Sequence, residues 1–65
     1  MATRAEKSAR EVVRVFRVVL GLEDDLVAAH AAGDWDKALE LAVRLRRAIK
    51  ASKGLVERFA DLSER

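Results

Sequence analysis

The sequence predicts an all-α protein, an antiparallel helical hairpin with arms over about 4–32 and 35–63, pairing into a homodimeric four-helix bundle. Three observations carry that expectation. A helix stop and a helix start sit side by side in Ala31-Ala32-Gly33-Asp34-Trp35-Asp36. On both sides of this turn, apolar residues recur at alternating spacings of three and four. No proline interrupts either arm.

The first helix opens on Thr3-Arg4-Ala5-Glu6, a capping box in which the threonine hydroxyl takes the Glu6 amide and the glutamate reaches back. From there Ala5, Ser8, Val12, Val15, Val19, Leu22, Leu26 and Ala29 form a heptad seam. Beside it run a row of Ala9, Phe16 and His30 and another of Val13, Leu20 and Val27. Together the rows span roughly 160° of the helix, which places Phe16 on the core side and is wider than one partner helix covers. At the turn, Gly33 can take the left-handed conformation that closes a helix, and Asp34 can cap the next one, with Asp36 adding negative charge at its positive end.

The second helix, from Trp35 to Ser63, repeats this breadth. Its seam is Ala38, Leu41, Leu45, Ala48, Ser52, Leu55, Phe59 and Leu62, flanked by Trp35, Ala42, Ile49 and Val56. Charged residues from Asp36 and Lys37 to Asp61 and Glu64 fill its outward side. Gly21 and Gly54 each cost about 1 kcal/mol inside a helix relative to Ala. The heptad phase runs unchanged through both, so two unbroken helices are expected.

Faces this wide leave several hundred Å² of apolar surface uncovered in a lone hairpin, which predicts self-association. The expected interface residues are Val12, Val15, Phe16, Val19, Leu22, Leu26, Leu45, Ile49, Leu55 and Phe59. The chain reads as one domain over 1–65, with neither a membrane span nor a secretory leader, so a cytoplasmic protein is expected. With no cysteine there is no disulfide framework or thiolate metal site to supplement the core. Asn, Gln, Tyr and Pro are missing as well, a composition that suits a designed chain and equally a small protein from a GC-rich genome.

Two groups of residues suggest chemistry. Glu23 and His30 share one row two turns apart, and two copies converging in a dimer would resemble a histidine–carboxylate metal site or a bis-histidine haem site. A polar pair fixing register, or Glu23 reaching Arg44 or Arg46, accounts for the same residues, and no cofactor is expected. Lys7, Arg10, Arg14 and Arg17 form a stripe on the first helix, level with Lys50, Lys53 and Glu57, so a basic patch for phosphates could extend across both helices. The alternative is a solvated outer face, since no aromatic is interleaved for stacking. Ser8, Ser52 and Ser63 lack His–Asp companions, which argues against nucleophilic catalysis.

Ala29, Gly33, Asp34, Trp35, Asp36, Lys37 and Ala38 resemble the inter-helix turn of a tetratricopeptide repeat, which implies a tight antiparallel turn. Glu6-Lys7-Ser8-Ala9, Arg58-Phe59 and the plan of the whole chain resemble the Rop family of plasmid copy-number proteins. That likeness implies a hairpin pairing into an antiparallel four-helix bundle that binds paired RNA loops. The family's RNA face carries an exposed Phe and amide side chains; Val15 stands nearest that Phe here, and no Asn or Gln occurs. The expected function is therefore a non-catalytic, self-associating hairpin that acts through its assembly or the surface it presents. A Rop-like RNA-binding dimer is the alternative, and a metal or haem site at the bundle core the third reading.

Overall fold

Thr3 is extended, with φ −73° and ψ 168°, and its side-chain oxygen accepts the Glu6 N–H at 3.1 Å. That bond satisfies one of the free amides at the start of α1 (Arg4–Ala31). The return bond from the Glu6 carboxylate, the other half of the capping box, is not formed. The computed structural model describes residues 3–63, so the outward position expected for Glu64 lies outside the described residues.

α1 ends one residue before the expected boundary, with Ala32 as its C-cap. The Gly33 N–H donates to the His30 carbonyl at 3.1 Å and the Asp34 N–H to the Ala29 carbonyl at 3.0 Å, the paired bonds of a Schellman turn. Gly33 has φ 70°, where a Cβ would be strained. Asp34 then starts α2 (Trp35–Ser63), its Oδ1 accepting the Lys37 N–H at 3.2 Å. Both helices run without a break through Gly21 and Gly54. A Cβ at either glycine would meet nothing within 4 Å, so neither serves a close approach between the two helices.

The helices pack antiparallel along the predicted seams. Val12, Ala29, Leu41 and Ser52 are buried and Val15, Val19, Leu22, Leu26, Leu45 and Leu55 half-buried. Ser52 is accommodated because its hydroxyl donates to the Ile49 carbonyl at 2.8 Å, so this buried donor is paired. Surface notches join Arg4 and Ser8 to Arg58 and Leu62 near the chain ends, and Val27 and His30 to Trp35 and Ala38 near the turn. Counting 1.5 Å per residue outward from the turn, residues whose numbers sum to about 66 lie level.

The hairpin measures 48 × 19 × 12 Å, so it is one helix thick. Among the described residues no side chain is fully enclosed, and the accessible surface is 5348 Å². No helix among the described residues is long and apolar enough to cross a membrane.

Candidate interaction face

The largest feature outside the seam is apolar. Taking the seam as heptad positions a and d, Ala9, Phe16, Glu23 and His30 of α1 and Trp35, Ala42, Ile49 and Val56 of α2 all fall at e. Val13, Leu20 and Val27, with Leu39, Arg46, Lys53 and Ala60, fall at b. In an antiparallel pair the two e rows lie on the same side. The His30 and Trp35 rings show this directly, meeting edge to face with centroids 5.5 Å apart. Eight of the eleven large apolar side chains left exposed lie in these rows, so the exposure is concentrated on one broad side. The opposite side, at positions g, carries Arg4, Glu11 and Asp25 against Lys37, Arg44 and Arg58.

The expected interface residues divide between two surfaces. Val12, Val15, Val19, Leu22, Leu26, Leu45 and Leu55 lie between the helices of one chain. Phe16, Ile49 and Phe59 are exposed. Phe16, placed on the core side by its periodicity, is 44% exposed, because α2 sits on the neighbouring seam. Trp35 is likewise exposed, beside His30. The b rows, the half of the face absent from the expected interface, were signalled in α1 by the repeat of Val13, Leu20 and Val27.

Glu23 and His30 share the open side, both exposed. Glu23 pairs with neither Arg44 nor Arg46; the ion pair formed among the described residues is Glu40–Arg44 at 2.8 Å, between exposed groups one turn apart. Among the described residues no three His, Cys, Asp or Glu side chains gather where they could hold a metal ion. Of the basic stripe on α1, Arg10, Arg14 and Arg17 line one shallow surface with Glu6, Ala9, Val13 and Val18. On α2, Lys50 and Glu57 fall at f, away from the seam, and Lys53 falls at b on the open side.

No family model, curated protein or solved structure matches the chain, and the likenesses to the Rop family and to the tetratricopeptide turn rest on the quoted residues alone.

Proposed function

We propose that this chain is a non-catalytic assembly module whose open side pairs with a second copy to complete a four-helix bundle. The observation that carries this reading is the angle between its two apolar stripes. The e and b rows are centred about 100° around each helix from the seam. A helix in a four-helix square meets its two neighbours about a quarter-turn apart. Both helices of the hairpin have this second stripe, and on the same side. Area supports the same reading: a compact monomer of 7.2 kDa exposes about 4,100 Å² by mass scaling. The hairpin exposes 5348 Å². The excess is on the scale of the roughly 800 Å² that each partner of a stable complex contributes.

The test is the solution mass by light scattering on a sizing column, at low and high salt. A mass twice 7.2 kDa in both conditions is expected. A 7.2 kDa species at micromolar concentration in both would overturn the reading.

One observation favours a second reading, nucleic-acid binding by the α1 stripe. Arg10, Arg14 and Arg17 are gathered on a single outer surface, with Lys7 one turn away. Such a surface would release counterions on binding phosphates, and each Arg→Ala change would lower the salt slope of RNA affinity by about 1. Affinity for an RNA hairpin that is indifferent to Arg14→Ala and Arg17→Ala removes this reading.

A further inference from the structure

Glu23 is out of place on the apolar side. It is the one acidic residue of the e rows, and among the described residues no cation pairs with it. Resting on the dimer reading above, we propose that the second copy docks with its turn at the same end. α1 of each copy then faces α2 of the other, and Glu23 lies beside Arg46 of the second copy.

Two-fold symmetry allows two ways for these sides to meet. With the axis along the helices, the turns share an end and α1 faces the other copy's α2. Symmetry then makes the levels coincide with no register left to choose. Leu20 meets Arg46, Val13 meets Lys53, and Glu23 comes within about one turn of Arg46. The long Arg and Lys stems lie over Leu20 and Val13 while their charged heads stay in water. With the axis across the helices, the turns lie at opposite ends, α1 faces α1 and α2 faces α2. Arg46 and Lys53 of both copies then gather along one flank, and at full overlap Glu23 sits level with Val13 of the facing α1, whose b and e rows carry no cation; the arginines that share a surface with Val13, namely Arg10, Arg14 and Arg17, fall at c and f, outside those rows.

The two penalties of that second arrangement differ in weight. Repulsion among cations on an exposed flank is small and screened by salt. A carboxylate held against an apolar interface with no counter-charge in the rows that face it is the larger penalty. Glu23 therefore decides the orientation, and the flank cations add to the same side of the balance. Side-chain volume does not oppose it. Level with bulky Phe16 and Ile49 the seam holds Ala48 and Ser52, whereas level with Ala42 it holds Leu22 and Leu41. Each cross-section is evenly filled when doubled onto itself.

The test uses the absence of cysteine from the chain. A spin label on Ala32→Cys at the turn reports the distance between the two turns in the dimer. Turns at one end give roughly 25 Å or less, and turns at opposite ends about 40 Å or more, the length of 28 residues at 1.5 Å each. In parallel, Glu23→Lys and Arg46→Glu each weaken dimerisation about tenfold or more, and combining them restores it to within about threefold. A long turn-to-turn distance, or a double variant no tighter than the singles, overturns the orientation and leaves the dimer standing. A 7.2 kDa mass with no distance between labels overturns the dimer reading itself.

Discussion

Val12 and Val13 are neighbours in sequence and identical in chemistry, yet one is 9% exposed and the other 47%. The first lies on the seam between the helices and the second on the open side, away from the other helix. Leu41 and Leu39 show the same contrast at 5% and 67%. Seam and open side share Val, Leu, Ala and Phe and the same heptad period, and among those residues apolar character does not decide which is covered. What separates them is that the turn delivers a partner helix to one stripe only. Burial in a chain this thin follows from connectivity as much as from hydrophobicity.

The contrast is testable, and the largest effect belongs to the seam. Leu41→Ala should cost about 2–5 kcal/mol in chemical denaturation, the range for emptying a packed leucine site. Leu39→Ala, measured below the concentration at which the chain associates, should stay within about 0.5 kcal/mol of the parent. Equal losses for the two would erase the distinction between the stripes. Next, Phe16→Glu should weaken association by about 2 kcal/mol or more, read by sedimentation equilibrium, while leaving the helical content of the monomer unchanged. A dimer indifferent to that change would place the interface elsewhere. Asp34→Ala removes the cap of α2 and should lower stability by about 1 kcal/mol in monomer and dimer alike, since it touches neither stripe. The smallest effect is a gain: Gly21→Ala, also off both stripes and with open space for its Cβ, should raise the melting temperature through about 1 kcal/mol of helix propensity. Should it weaken the dimer instead, a second copy must approach the backbone at Gly21.

Much of the fold was legible in the sequence because its signals are local. Thr3 and Asp34 can be read as caps from their own chemistry, Gly33 as a left-handed stop, and the a and d seams from period alone; the structure contains all of these. Gly21 and Gly54 were legible through the unbroken heptad phase on either side of them. The division of the apolar residues was less so. Val12 and Phe16 belong to one continuous wide face in sequence, and only the position of α2 decides that Val12 is covered and Phe16 is not. Glu23 could not be assigned a partner, because Arg44 and Arg46 are level with it without pointing toward it.

The level pairing of α1 and α2 is nested, every rung enclosing those nearer to Gly33 and none crossing another. Once the turn has formed, each further rung closes only a short additional loop, so assembly of the hairpin can proceed as a zipper from one end. There is no proline to isomerise and no cysteine to reshuffle, which removes two common slow steps of folding. Opening runs the same track in reverse. In amide exchange the protection should fall along both helices from Ala29 and Leu41 toward Thr3 and Ser63, a gradient whose slope reports how far the zipper is open at any moment.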